Sequence, residues 1–469
     1  MKVTGMNKAF RRFAAVATLS VLMTGSAWAE NLADALTSAY NHSGLLEQNR
    51  AVLRAADEDV AIAMSALRPT LDWAAEIKRT FGYSKTALRS GGVANTESTV
   101  ALIASYTLYD FGRNQLGLEA AKESVLATRE TLISIEQQVL YRGVAAFLNV
   151  RRALEIVSLR QNNVRVIQTE LRAARDRFEV GEVTRTDVAL AEARLAAARS
   201  ALASSQGDLD IARAEYTSVI GRKPGNLVAP KSLPRLPAQA EGAATALRLH
   251  PNLRQVQHQI LALELTLKQA EAEMKPTVSL SGRLAATDDL GDGTYSRIGS
   301  ITLGASGPIY KGGRLSAQAR KVRAQRDAAR GNLHAVRHGV TQDVTTAYAT
   351  LQVAVASIDA SERQVRAARV AFRGVREEAS LGARTTFDVL QAEQELLDAQ
   401  AGLISATIDR QLASYQVLAS LGMLTTDHLK LNVVKYDPTE YYNLVKDAPT
   451  PTSRQGKQLD RVLQRLQKQ

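Results

Sequence analysis

The chain has 469 residues, 45% of them hydrophobic, and a formal net charge of +12. This apolar content excludes a wholly disordered chain. Cysteine is absent, which excludes disulfides, thiolate metal ligands, cysteine nucleophiles and a lipidated N-terminal cysteine. Basic residues are mixed with acidic ones and only 5% of residues are aromatic, so a solvated charged surface explains the charge better than nucleic-acid binding.

Residues 1–29 have the pattern of an export signal. A basic start precedes an apolar run at 13–23, and Ala27-Trp28-Ala29 supplies the small residues that a signal peptidase reads. A spanning helix needs about 20 apolar residues, so cleavage after Ala29 is favoured over an uncleaved anchor. The later sequence lacks an apolar stretch of that length, and membrane contact is therefore expected from strands or surface helices.

The rest of the chain contains an internal duplication. A shift of 201 residues aligns residues 109–221 with 310–422 without a gap. The aligned positions include Tyr109-Asp110-Phe111-Gly112-Arg113 with Tyr310-Lys311-Gly312-Gly313-Arg314, and Gly181, Thr184 and Asp187 with Gly382, Thr385 and Asp388. The predicted segments are a first repeat at 30–221, an equatorial linker at 222–241, a second repeat at 242–436, and a mobile or weakly docked tail at 437–469.

Each repeat is predicted to begin with one helix, at 32–67 and 243–274, which a proline ends. Two strands follow in each copy, at 71–78 and 99–108, and at 278–280 with its neighbours and 298–309. Gly/Ser/Asn-rich turns at 90–95 and 288–293 separate them, and strands of about 9–11 residues match a membrane span. A soluble hairpin packed on the helices is the alternative.

Two long proline-free runs come next, at 113–181 and 314–382, each predicting a helix of roughly 100 Å. Shorter return helices begin after Thr184 and Thr385. An ordinary long coiled coil is the alternative for these runs. Short strands are expected at 224–237 and 429–434.

Four strands per chain cannot close a barrel, since the smallest outer-membrane barrels use about eight. If the strands span a membrane, the barrel must be shared between two, three or more copies.

The chain carries the signatures Arg68-Pro69, Tyr109-Asp110-Phe111-Gly112-Arg113, Pro308-Ile309-Tyr310-Lys311-Gly312-Gly313, and the motifs Phe178-Glu179-Val180-Gly181 and Leu381-Gly382-Ala383-Arg384-Thr385 at the ends of the long helices. With these signatures it closely resembles the TolC family of outer-membrane channel proteins. The resemblance covers residues 30–436. It implies a mainly α-helical, internally duplicated fold, in which a homotrimer forms a 12-stranded barrel in outer-membrane lipid and a helical barrel across the periplasm. It also implies a periplasmic adaptor and an inner-membrane transporter of RND or ABC type as partners.

Gly181 and Gly382 end the long helices, and Thr184-x-x-Asp187 and Thr385-x-x-Asp388 predict capping boxes that start the return helices. The resemblance adds a periplasmic gate here: Asp388 matches the first gate aspartate, and Thr186, Asp187 and Arg384 match the closing network. Gln391 replaces the second gate aspartate, and Ala379 replaces a gate tyrosine. We expect an ion pair between Arg384 and Asp187 to hold the gate closed, and adaptor docking at Val180, Gly181, Leu381 and Gly382.

The sequence offers little sign of catalysis or cofactor binding. His334 and His338 could share a helix face, but a third metal ligand is not identifiable nearby. Neither a phosphate-binding loop nor a Ser/His/Asp arrangement is visible. A periplasmic coiled-coil adaptor of the membrane-fusion type is the main alternative function, and a passive envelope scaffold or receptor is another. The duplication and the two hairpins argue against the adaptor.

Overall fold

The computed structural model describes residues 30–86, 90–230 and 232–466. The expected signal segment, 1–29, lies outside these residues. Contact clustering divides the chain into two compact units. The first unit holds residues 30–43, 140–236 and 350–416, and the second holds 44–139, 237–349 and 417–466.

The helices and strands repeat in the same order. The first series is α1 (Leu32–His42), α2 (Gly44–Ser65), β1 (Thr70–Lys85), β2 (Ser90–Tyr109), α3 (Arg113–Glu179) and α4 (Arg185–Ile220). The second is α5 (Gln239–Leu249), α6 (Pro251–Ala272), β3 (Thr277–Asp289), β4 (Tyr295–Ser306), α7 (Arg314–Ser380) and α8 (Thr386–Ser420). Helices α3 and α7 each contain 67 residues, as the proline-free runs predicted.

The prediction of one continuous helix at the start of each repeat was wrong. The first is interrupted at Ser43, between α1 and α2, and the second at His250, between α5 and α6. Both interrupting residues have extended backbone. At His250 the reason is local, because the following Pro251 disfavours helical geometry in the residue before it and suits the first position of a new helix.

The four strands form one antiparallel sheet in the order β1-β2-β3-β4, within the second unit. The strands contain 16, 20, 13 and 12 residues. Strands β1 and β2 are longer than predicted, whereas β4 has the predicted length and lies three residues earlier in the chain. The predicted turn at 90–95 is part of β2, since Ser90 pairs with Lys85 and Asn95 with Thr80. Strand pairing satisfies the backbone hydrogen-bonding groups of this Gly-rich segment, which composition alone assigned to a turn.

The expected short strands outside this sheet are largely missing from the described residues. One parallel bridge joins Glu30 to Leu227, whereas residues 429–434 form turns and irregular backbone. The bridge is reinforced by the Glu30 carboxylate, which accepts hydrogen bonds from Tyr216 Oη at 2.6 Å and from Arg222 Nη2 at 2.6 Å. Burial and this carboxylate raise the pKa of Tyr216. Glu30 therefore ties the start of the described chain to residues 216–227.

The C-terminal segment, expected to be a mobile or weakly docked tail, contains two helices. Helix α9 (Pro438–Val445) packs on α2, where Tyr441 Oη donates to Glu58 at 2.6 Å. Leu459 and Leu463 of α10 (Arg454–Leu466) pack against the buried Ala61, Tyr441 and Val445. Apolar contacts and a hydrogen bond therefore both link this segment to α2 within the second unit.

Across the described ranges, none of the helices carries an apolar stretch of the length needed to cross a membrane.

Candidate functional site

Two chain reversals in the first unit carry Arg384 and the predicted docking residues, and the other predicted gate residues follow them on the return helices. Tip 1 is residues 180–184, between α3 and α4, and tip 2 is residues 381–385, between α7 and α8. Gly181 and Gly382 have positive φ angles of 81° and 78°. In tip 1, Glu182 N donates to Arg177 O at 2.9 Å, and in tip 2, Ala383 N donates to Glu378 O at 2.9 Å. Both long helices thus end in the same glycine-dependent motif, whose hydrogen bonds use their last carbonyl groups.

Each return helix begins with a reciprocal capping box. Thr184 N and Oγ1 donate to Asp187 Oδ2 at 3.0 and 2.7 Å, and Asp187 N donates to Thr184 Oγ1 at 3.3 Å. Thr385 and Asp388 repeat these contacts at 3.0, 2.8 and 3.3 Å. Hydrogen bonds from the threonines lower the pKa of both Asp187 and Asp388. Both aspartates are therefore ionised caps near neutral pH.

The two tips line a common cleft of about 540 Å³. Arg177 Nη1 donates to Ala379 O at 3.5 Å across it. Asp187 and Arg384 both line this cleft, yet Arg384 Nε is paired with Glu378 Oε2 at 2.8 Å. The expected ion pair between Arg384 and Asp187 is therefore not formed within this chain, because Arg384 pairs with Glu378 and Asp187 accepts from Thr184.

The remaining predicted gate residues lie in the first turns of the return helices or just beyond. Thr186 is exposed on α4. Gln391 on α8 accepts from Arg194 Nη2 at 3.4 Å, so a neutral side chain connects α8 to α4 at the position where the resemblance expects an acid. The predicted docking residues are exposed, with Leu381 at 85% and Val180 at 72%.

A buried polar contact close to this region was not predicted from the sequence. Glu393 and Asn163 are both buried, and Asn163 Nδ2 donates to Glu393 Oε1 at 3.2 Å. Burial raises the pKa of Glu393. The aligned residue of the first repeat, Glu192, is exposed and pairs with Arg175 at 2.5 Å. Equivalent glutamates thus have opposite environments, which the duplicated sequence does not reveal.

The sheet has two chemically different faces. Paired residues of neighbouring strands share a face, so the register assigns every side chain. One face, called the apolar face, carries Leu71, Trp73, Ile77, Val100, Leu102, Leu280, Leu284, Ile301 and Leu303. Its charged members Arg79, Asp288 and Arg297 lie toward the end of the sheet away from the long helices. The other face is mainly polar and carries Asp72, Glu76, Thr99, Arg283, Thr287 and Ser300.

The apolar face is uncovered in the single chain. Trp73 is 75% exposed and Ile301 is 84% exposed. The outer edges of β1 and β4 are also unpaired within the described sheet. A wide exposed apolar face marks a binding or membrane surface, and unpaired edges leave backbone groups available to another strand.

Residues 35–222 and 243–423 match the protein family described as "outer membrane efflux protein". The chain is 38% identical over 443 residues to outer membrane efflux protein BepC of Brucella suis biovar 1 (strain 1330), covering 92% of this chain and 94% of that protein. It is 26% identical over 448 residues to outer membrane protein TolC of Salmonella enteritidis, covering 90% and 88%.

Among solved structures, the Campylobacter jejuni CmeC outer membrane channel superposes with a TM-score of 0.76. The match covers 90% of each chain at 15% identity, so the likeness concerns the fold.

Proposed function

Because the chain belongs to the outer membrane efflux protein family, we propose that it is the outer-membrane exit duct of a tripartite efflux pump or type I secretion system. The family consists of channel proteins, so the chain is a channel component of the outer membrane and not an enzyme. In this proposal three copies form the duct, most of whose mass lies in the periplasm. Outer-membrane lipid surrounds the barrel, and a periplasmic adaptor connects the duct to an RND or ABC transporter.

The two-faced sheet is the observation that supports this proposal most strongly. Its apolar face matches the lipid-facing side of an outer-membrane strand, and its polar face matches a water-filled lumen. Hydrocarbon does not tolerate unpaired strand edges, so β1 of one copy must pair with β4 of another. Three copies would provide twelve strands. The periplasmic adaptor alternative is not favoured, since it conflicts with the family membership.

The sheet closure can be tested by cross-linking, because the natural chain has no cysteine. One cysteine replaces Asp72 in β1, and a second is moved through Ile298, Ser300 and Thr302 in β4. A disulfide-linked oligomer at one of these positions is the expected result. The matched control is a cysteine pair at Thr99 and Thr287, whose hydroxyl oxygens are 3.0 Å apart in one chain. Efficient linkage in the control with none between β1 and β4 would contradict the shared barrel.

Membrane fractionation, electrophoresis of unboiled protein and planar-bilayer recording test the duct as a whole. An outer-membrane oligomer that conducts is expected. A non-conducting protein in the inner membrane would contradict the proposal and would favour an adaptor.

We further propose that the tips form the periplasmic gate, with Thr186, Asp187, Arg384, Asp388 and Gln391 at the constriction. The ionised Asp187 and Asp388 support this proposal, since three copies would give a ring of negative charge at the entrance. Val180, Gly181, Leu381 and Gly382 are proposed as the adaptor-docking residues because Val180 and Leu381 are exposed apolar side chains.

The gate test must separate charge from helix capping. Asp388→Asn removes the charge and keeps an oxygen that can accept from Thr385, whereas Asp388→Ala removes both. If the negative charge of Asp388 helps to keep the entrance closed, both variants should have a higher resting single-channel conductance than the natural protein. If Asp388 only caps α8, the alanine variant alone changes, with faster hydrogen exchange at tip 2. The proposed gating role of Asp388 would then be wrong.

A further inference from the structure

A β-bulge changes the face of β2 near its junction with α3. Tyr106 pairs with Leu280 on the apolar face, and Thr107 pairs with Ser279 on the polar face. The register then shifts, so that Tyr109 pairs with Val278, which shares the apolar face with Leu280. A bulge is a known means of redirecting a side chain. Tyr109 is therefore brought to the apolar face at the helix end of the sheet.

Phe111, two residues further on, has an unfavourable backbone conformation. Its φ is 55°, in the left-handed region that side chains with a Cβ rarely adopt. The aligned residue of the second repeat is Gly312, whose φ is 61°. The Asp110 carboxylate holds this turn by accepting from Gly112 N at 3.0 Å and Asn114 N at 2.9 Å. The first repeat thus keeps a phenylalanine where the second has the residue that fits without strain, which points to a role for the ring.

The ring of Phe111 joins an aromatic pair to a cation. Its centroid lies 4.7 Å from that of Tyr109, and Lys275 Nζ lies 5.1 Å from the Phe111 centroid. Tyr109 is 56% exposed and Phe111 39%. Among the described residues, Lys275 is not within ion-pair distance of any carboxylate, so its ammonium group is available to bind an external anion. Aromatic rings beside a cation at the edge of an apolar face suit the boundary between headgroups and acyl chains.

We propose that Tyr109, Phe111 and Lys275 bind a glycerophospholipid in the membrane leaflet at the helix end of the strands. The Lys275 ammonium contacts the phosphate, and the two rings pack on the glycerol and the first acyl carbons. This proposal rests on the membrane role of the sheet proposed above. A lipid is the occupant because Tyr109 extends the apolar face to the helix end of the sheet, and Lys275 adds one positive charge beside the rings where a phosphate would lie.

The test is a lipid titration of the full-length protein in detergent, followed by native mass spectrometry. The probe is phosphatidylglycerol with 14-carbon chains, and diacylglycerol with the same chains provides a phosphate-free comparison. We expect Lys275→Ala to weaken phosphatidylglycerol binding about fivefold, the effect of removing one basic residue near an anionic surface, and to leave diacylglycerol binding unchanged. Phe111→Gly should weaken both lipids, and it should fold because glycine relaxes the turn.

The matched control is Lys321→Ala, which removes an exposed lysine from α7. It should bind both lipids like the natural protein. Unchanged phosphatidylglycerol affinity in Lys275→Ala overturns the proposal. A variant of this cluster that no longer forms oligomers but binds both lipids normally would also overturn the proposal, because the cluster would then form a contact between copies of the chain. Failure of the duct proposal would be seen separately, as a natural protein that is absent from the outer membrane or does not conduct.

Discussion

Asp57 provides a sharp test of the packing between α2 and the C-terminal segment. Its side chain is fully buried, and neither carboxylate oxygen has a hydrogen-bond partner in the described structure. Arg129 is the nearby cation, but it donates to Pro438 O at 3.3 Å and lies over the Tyr442 ring at 5.3 Å. Burial raises the pKa of Asp57 from 3.8 to about 6. The folded protein therefore disfavours the ionised form of this carboxyl.

The sign of the pH effect follows from proton linkage. Between pH 4 and 6 the unfolded chain has already lost the Asp57 proton while the folded chain retains it, so stability falls as the pH rises. The loss of stability is complete once the pH is well above 6, when Asp57 is ionised in both states. For a pKa raised from 3.8 to about 6, this loss amounts to about 3 kcal/mol. At pH 5 about half of this destabilisation is present by the same relation. The contribution of Asp57 thus changes by roughly 1.5 kcal/mol between pH 5 and pH 8.

The perturbation is Asp57→Asn, which removes the titration with little change in shape. Native-state hydrogen exchange on residues 53–60 and 438–445 measures the opening free energy at pH 5 and pH 8. The opening free energy of the variant minus that of the natural protein should be larger at pH 8 than at pH 5 by roughly 1.5 kcal/mol. Asp59→Asn, an exposed neighbour on α2, is the control and should have no such pH dependence. An identical pH dependence in Asp57→Asn and the natural protein would refute the reasoning.

Two further predictions concern the first unit. Gly221 has a φ of +83°, and Gly221→Ala places a Cβ 2.5 Å from the His42 imidazole carbon Cγ. Gly181 has a similar φ of +81°, but a Cβ added there meets no atom within 4 Å. Thermal unfolding should therefore show a loss of about 1 kcal/mol for Gly181→Ala and about 3 kcal/mol for Gly221→Ala, and equal losses would contradict the clash. Glu30→Ala removes the acceptor of the buried Tyr216 hydroxyl and should lower the opening free energy of α1 amides by about 2 kcal/mol in hydrogen exchange. Glu30→Gln, which keeps an acceptor, should lose less, and an equal loss would indicate that the carboxylate only fills space.

The lengths of the long helices and the chemistry of the tips follow from sequence alone. Proline-free runs extend helices, and glycine followed by Thr-x-x-Asp ends one helix and caps the next through contacts within six residues. Such contacts form wherever the segment is placed, so both capping boxes were predictable. The interruption at His250 also has a local cause, the following Pro251, and so could have been predicted within the single helix expected at 243–274.

Tertiary structure decided which side chains meet. Glu192 and Glu393 occupy equivalent positions, yet Glu192 is exposed and pairs with Arg175, whereas Glu393 is buried and accepts from Asn163. Arg384 pairs with Glu378 because the turn of tip 2 brings that carboxylate closer than Asp187. The bulge that turns Tyr109 to the apolar face depends on registration against β3, more than 160 residues away in sequence. Local composition determines elements and caps, whereas long-range packing and register determine burial, partners and faces.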